Sequence, residues 1–314
     1  MANAFEHKGS SHQLAAFSPY RSGDIVILGV PADDKSSYLR GAAAAPAAIR
    51  SALACPSSNL CAEDGLDLGS CAALKDAGDL ALGGRLDPDL IEKSVAAIVG
   101  SGARLLCLGG DHAVTYPILR GYASARATAG GGAAALDVLH LDAHNDLYEE
   151  FEGDPLSHAC PFARACEEGA IGRLAQVGIR GMTSHLRAQA ERFGVEVIDM
   201  HAWSAGARPR FEGDFYLSLD LDAMDPAFAP GVSHHEPGGL SSREVIGLVQ
   251  SCPGRLVGAD LVELNPARDR DGVTAMLAAK LLKEIVARML RDLRPAQAAS
   301  SPLFSQRNRA EVKE

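Results

Sequence analysis

"ALDVLHLDAHNDLYEEFEG", residues 135–153, begins as a buried strand and ends as an acidic loop. Its apolar start calls for cover on both faces. Yet His140, Asp142, His144 and Asp146, each able to bind a cation, follow at every second position. An exposed edge strand would explain the alternation structurally. A metal site at the strand's carboxyl end would explain it chemically. The other strands decide between them.

Short apolar runs predict strands at 24–30, 104–109, 137–142, 175–180, 195–199, 215–221 and 256–264. Several are apolar almost throughout, as strands covered on both faces must be. Helical patterns fall at 88–100, 115–124, 158–168, 184–193, 241–251 and 273–292. Ser241 and Glu244 form a capping box for the fifth of these, and Pro253 and Gly254 mark its end. In the last helix, Lys280, Lys283, Glu284 and Arg288 read as solvated positions. Strand, loop and helix repeated this often argue an α/β protein with a doubly wound parallel sheet. We expect a single domain over 1–314 with its core at about 24–292. Flexible segments are expected at 1–20, 127–135 and 295–314.

Ligands of an open parallel sheet bind beyond the carboxyl ends of its strands. Three strands deliver carboxylates or imidazoles there. "LLCLGGDH" (105–112) ends with Asp111 and His112, "VLHLDAHND" (138–146) carries Asp142, His144 and Asp146, and "YLSLDLDAMDP" (216–226) carries Asp220, Asp222 and Asp225. Singly, an Asp at a strand tip caps a helix or turns the chain. His140 lies within its strand and reads as a core or supporting histidine. Together, carboxylates from three strands would repel one another without cations. Hard oxygens with a few imidazoles suit manganese, and also magnesium, nickel, iron or zinc. The absence of cysteine from the set argues against a structural zinc knot. Two ions sharing bridging carboxylates fit so many ligands better than one, and such pairs make hydroxide near neutral pH. The polar alternation is therefore read as a metal-binding strand end.

The 314 residues carry a net charge of −10 and no basic stripe, which excludes nucleic acid as a partner. Seven cysteines, none in a CxxC pair, point to a reducing compartment. The first residues lack a secretory signal. No apolar run approaches the roughly 18 residues needed to span a bilayer, so no membrane partner is expected. These features predict a cytoplasmic protein.

Four segments resemble the signature segments of the ureohydrolase family, which includes arginases and agmatinases. They are "LGGDHAVTYP" (108–117), "LHLDAHNDLY" (139–148), "SLDLDAMDPAFAPG" (218–231) and "GADLVELNPARD" (258–269). "FEGDPLSHACPFAR" (151–164), "APGVSHHEPGGLSSREV" (229–245) and "DGVTAMLAAKLLKEI" (271–285) are similar to plant-type arginases and their bacterial relatives. The resemblance implies a three-layer α/β/α, arginase-like fold and two divalent metal ions, manganese first and nickel second. It implies one ion held by His112, Asp142, Asp146 and Asp220 and the other by Asp142, His144, Asp220 and Asp222, with Asp142 and Asp220 bridging. His158 then handles protons, Glu263 holds a guanidinium group, and Asp146 completes the catalytic set. The implied substrate is a small cationic guanidino compound. L-arginine is the first choice, giving ornithine and urea. Agmatine, another guanidine, a formimino compound or a biguanide such as metformin are the alternatives. Asn145 and Ser157 are candidate hydrogen-bond donors to an α-carboxylate.

The family also implies a homo-oligomer, a trimer or hexamer, with a paralogous subunit as a variant. A reading from another class is a non-catalytic partner subunit. A third is a one-zinc deacetylase on a related fold. Asn145, His235 after His234, and "AAAAP" at 42–46 depart from the family pattern and bear on the substrate rather than the metals.

Overall fold

In the computed structural model, which describes residues 19–128 and 135–293, the apolar runs become one sheet. Its strands among the described residues are β1 (Ile25–Val30), β2 (Leu74–Asp79), β3 (Arg104–Gly109), β4 (Leu136–Leu141), β5 (Ile171–Val177), β6 (Glu196–Ile198), β7 (Asp214–Asp220) and β8 (Arg255–Val262). They lie in the order β2-β1-β3-β8-β7-β4-β5-β6. Every neighbouring pair is parallel. Helices α1 (Ala45–Leu53), α2 (Pro88–Gly100), α3 (Thr115–Thr128), α4 (Pro161–Glu167), α5 (Ser184–Phe193), α6 (Met200–Ser204), α7 (Ser242–Ser251) and α8 (Val273–Leu293) cover both faces.

Alternate strand residues feed two cores. Ile25, Ile27, Leu106, Leu108, Leu139, Leu141, Leu217 and Leu219 pack with residues of α1, α7 and α8. Val26, Leu28, Leu105, Cys107, Val138 and Tyr216 pack with residues of α2 to α5 on the other face. Period-two side chains of a doubly covered strand require this split, and it makes the α/β/α three-layer fold. The capping box forms as expected, Glu244 N–H donating to Ser241 Oγ and Ser241 N–H to the Glu244 carboxylate. Among the described residues, no helix is long and apolar enough to cross a membrane.

Several expectations need correction. Strand β2, "LKDAGD", was not anticipated, because an edge strand with partly exposed residues shows no apolar run. Helix α1 was not among the expected helices either: at "AAAAP" a 3-10 turn at Ala42–Ala44 runs into it, with Pro46 in the first turn. Strand β5 begins at Ile171 and ends at Val177, not 180, because Gly178 turns the chain at φ +99. Three of the four positions read as solvated in α8 are buried: Lys283, Glu284 and Arg288. Arg288 donates to the carbonyls of Val249, Gln250, Cys252 and Gly254, and Glu284 accepts from the Glu63 backbone and Gln250. The expected flexible segments lie outside the described residues, apart from a few residues at their inner ends.

Candidate metal centre

The four central strands, β3, β8, β7 and β4, are consecutive neighbours in the sheet, and their carboxyl ends converge. At the end of β3, a Cβ on Gly110 would lie 1.7 Å from the Ala32 carbonyl oxygen, so only glycine lets the chain turn beside β1. Asp111 then caps the 3-10 turn His112–Val114 and brings His112 to the site. Asp220 likewise caps the turn Leu221–Ala223 that carries Asp222. Capping and site-building are not alternatives here. One oxygen of Asp220 accepts the Asp222 N–H at 2.8 Å, while the other lies 3.2 Å from His112 Nδ1.

His112 Nδ1 is the focus of the first cluster. It is fully buried, without a hydrogen-bond partner, and faces one oxygen each of Asp142 (3.1 Å), Asp146 (3.1 Å) and Asp220 (3.2 Å). Its other nitrogen fixes its state. Ser218 Oγ gives its only proton to Asp260 at 2.7 Å, so it accepts from His112 Nε2–H at 3.0 Å. With Nε2–H so engaged, Nδ1 is the nitrogen left facing the three carboxylates. Burial disfavours a charge on the ring, but the carboxylates outweigh it and raise its pKa well above the ordinary value. The cluster thus attracts positive charge at this point, which a metal ion would supply. In the second cluster, His144 Nδ1 lies 3.4 Å from the other oxygen of Asp142 and 3.2 Å from Asp222. Asp142 faces both clusters, one oxygen to each. Without cations the carboxylates cannot share the space evenly. Burial pushes the Asp220 carboxyl well up, with Asp222 and Asp142 adding to it. The Asp142 carboxyl is held well down, as His140, His112 and His144 outweigh its burial.

His140 is close enough to count among the ligands, but both its nitrogens are engaged. Gln176 Nε2 donates to His140 Nδ1 at 3.0 Å and to the Asn145 carbonyl at 2.7 Å. His140 Nε2–H therefore donates to Asp142 at 2.8 Å. It supports a cluster residue and orients it. Asp111 and Asp225 stand apart from both clusters. Asp111 accepts backbone N–H groups from Lys35 and Ala113, and burial together with Glu263 pushes its pKa to about 8. Asp225 holds the N–H groups of Ala227 and Gly238.

Beside the clusters lies a cavity of about 190 Å³, lined by His144, Asp146, His158, Asp220, Asp222 and Glu263 among others. Glu263 accepts the His112 N–H at 2.8 Å through Oε1. Its Oε2 is buried with no protein partner, a free anionic acceptor. His158 Nδ1 lies 3.5 Å from Glu263 Oε1. Burial disfavours a charged His158 ring, but Glu263 outweighs it and lifts the pKa to about 9. Ser37, Tyr148 and Phe151 also line the cavity and had no role in the sequence reading, and His234, noted there only beside His235, lines it as well. His234 stacks on His158, ring centres 5.0 Å apart. Only the doubled histidine of "SHHEP" signalled it.

Asn145 and Ser157 are not among the cavity-lining residues. Both are buried. The Asn145 side-chain amide has no hydrogen-bond partner, and Ser157 Oγ accepts the Ala159 N–H at 3.4 Å. The acidic loop faces elsewhere: Glu149 pairs with His185 and Arg192, Asp154 with Lys35, and Glu150 and Glu152 are exposed.

A family model described as "Arginase family" matches residues 23–287. The chain is 41% identical over 281 residues to the mitochondrial arginase of Medicago truncatula, covering 84% of this chain and 81% of that one. It is 43% identical over 281 residues to the mitochondrial arginase 1 of Oryza sativa subsp. indica, with 84% and 81% covered. It is 33% identical over 296 residues to proclavaminate amidinohydrolase of Streptomyces clavuligerus, with 85% and 88% covered. The solved arginase structure from Medicago truncatula superposes with a TM-score of 0.78 over 87% of this chain and 89% of that one. These relatives correct the cytoplasmic expectation, since the two plant arginases are named as mitochondrial. Free cysteines report a reducing compartment, and that does not single out the cytosol.

Proposed function

The chain belongs to the arginase family of metal-dependent amidinohydrolases, and from that premise we propose that it cleaves L-arginine to ornithine and urea. The observation that carries the chemistry is the placement of His112 Nδ1, buried among three carboxylates beside a cavity that holds a free Glu263 oxygen. Similarity to plant arginases across the domain supports arginine over the other guanidino compounds. We take the chain as one domain with its core at about 24–292.

We assign one ion to His112, Asp142, Asp146 and Asp220 and the other to Asp142, His144, Asp220 and Asp222. Manganese is the first choice and nickel the second. When bound, such ions offset the carboxylate charge and supply hydroxide near neutral pH. The chain's own residues do the rest. Glu263 Oε2 accepts from the guanidinium in a charge-assisted bond and turns its carbon toward the clusters. His158, charged at neutral pH through Glu263, holds a proton at Nδ1 for the departing amine. Burial of His112, Asp142, Asp146 and Asp220 keeps bulk water from the first cluster. Asn145 and Ser157 would act on the substrate's far end only through a bridging water or a side-chain shift. We propose a homo-oligomer, a trimer or hexamer.

The test is a panel of guanidino compounds offered to purified, metal-loaded protein with product identification. Arginine should yield urea and ornithine. Urea from agmatine or a biguanide instead would replace the substrate and leave the mechanism. No turnover of any C–N substrate would favour a non-catalytic partner subunit.

A further inference from the structure

The loop that follows β1, residues 31–41, leads to the 3-10 turn before α1 and places Ser37 on the cavity wall. Ser37 Oγ lies 2.9 Å from His158 Nε2, while His158 Nδ1 faces Glu263. We propose that Ser37 is a positioning residue: by holding His158 Nε2 it reserves Nδ1 as the nitrogen that exchanges protons inside the cavity. The inference rests on the reading of His158 as the proton-handling group.

An imidazole can present either nitrogen, and a half-turn about its Cβ–Cγ bond would carry Nδ1 away from Glu263. Two contacts oppose that turn. His234 stacks on the ring face and Ser37 holds Nε2, while the backbone N–H of His158 donates to the Lys35 carbonyl and keeps the two loops together. Ser37 is exposed, so water would satisfy its hydroxyl equally well. The bond serves the ring, not the serine.

The loop that carries Ser37 is fastened to the residues that build the site. The Lys35 N–H donates to Asp111, the residue before His112. The Arg40 carbonyl accepts from Asn265, two residues beyond Glu263. The Leu39 carbonyl accepts from Ser233, next to His234. A displacement of the site would therefore carry Ser37 with it. Protons balance without any net transfer through the serine. A proton accepted at Nδ1 is released at Nδ1, and Nε2–H stays on Ser37 Oγ through the cycle.

Ser37→Ala, Ser37→Thr, His158→Ala and the Ser37→Ala/His158→Ala double variant should be compared in steady-state kinetics with arginine, with metal content measured for each. Ser37→Ala should lower kcat about tenfold, the worth of one orienting hydrogen bond, with KM and metal content unchanged. Ser37→Thr should restore most of the rate, and Ser37→Ala should add nothing in the His158→Ala background. An unchanged kcat in Ser37→Ala, with His158→Ala impaired, overturns the role of Ser37 and spares that of His158. A full rate in His158→Ala overturns both. An equal loss from Ser37→Ala with and without His158 shows that the serine acts by another route and also overturns the proposal.

Discussion

Glu263→Gln isolates the charge that is read as gripping the guanidinium. The side chains are nearly isosteric, and the glutamine keeps a carbonyl oxygen for the His112 N–H now held at 2.8 Å. The loss is confined to the negative charge, most of all at Oε2, which has no protein partner. Removing one member of a desolvated charge pair costs on the order of 2–5 kcal/mol. At about 1.4 kcal/mol per factor of ten, kcat/KM should fall by roughly 30- to 4,000-fold. Both metals should remain, because the carboxylates facing His112 and His144 are untouched. Stability should report the same charge. Burial lowers the pKa of His158 but Glu263 raises it to about 9, above an unfolded value of about 6.5. A raised histidine pKa adds stability that is full below about pH 6.5 and is lost as pH rises through about 9. The shift corresponds to about 3 kcal/mol for the pair, counted once. Glu263→Gln should therefore be less stable than wild type at pH 6, with the gap closing toward pH 10. Urea denaturation across that range with arginine kinetics at pH 8 measures both. A kcat/KM within threefold of wild type, with metals bound, would refute the pairing.

Chelation should abolish turnover and lower Tm, because the ions bind the folded state alone, and metal analysis of the active protein should return two divalent ions per chain. Gln176→Leu frees His140 to turn away from Asp142, so metal affinity should fall about 10- to 100-fold, read by competition with a chromogenic chelator. Arg288→Ala strips four carbonyls of a buried donor. It should cost on the order of 2–4 kcal/mol in denaturant unfolding while kcat stays at the wild-type level.

What the sequence made legible follows from where the partners of each residue lie. A strand covered on both faces announces itself by its own apolar run, as β1, β3 and β7 do. Strand β2 does not, since its residues lie half exposed at the edge and Asp76 and Asp79 serve Arg50 of α1. The burial of Glu284 and Arg288 was hidden for the same reason: their partners are Glu63 and the carbonyls at and just past the end of α7, remote in sequence. In the site, three strand ends were readable from charge alone, whereas Glu263 stood out only through the resemblance. Ser37 and His234 gave almost no signal, because a serine or a histidine in a loop is ordinary until the fold brings it against His158.

The alternation that first pointed to a metal site owes its effect to the end of the strand. In an extended strand, Asp142 and Asp146 would stand about 13 Å apart, four residues at roughly 3.3 Å each. Both put an oxygen 3.1 Å from the single atom His112 Nδ1. The chain can do this only by leaving the sheet, and β4 stops at Leu141. Asp146 then takes φ +47, and Glu263, just past β8, takes φ +65. Left-handed backbone costs a non-glycine residue of order 1–3 kcal/mol and persists where surrounding structure enforces it. Glycine at either position would relieve that cost and remove the carboxylate. The strained turns and the carboxylates thus belong to one device: each turn folds a second side chain back over the strand end, where a straight continuation would carry it into solvent.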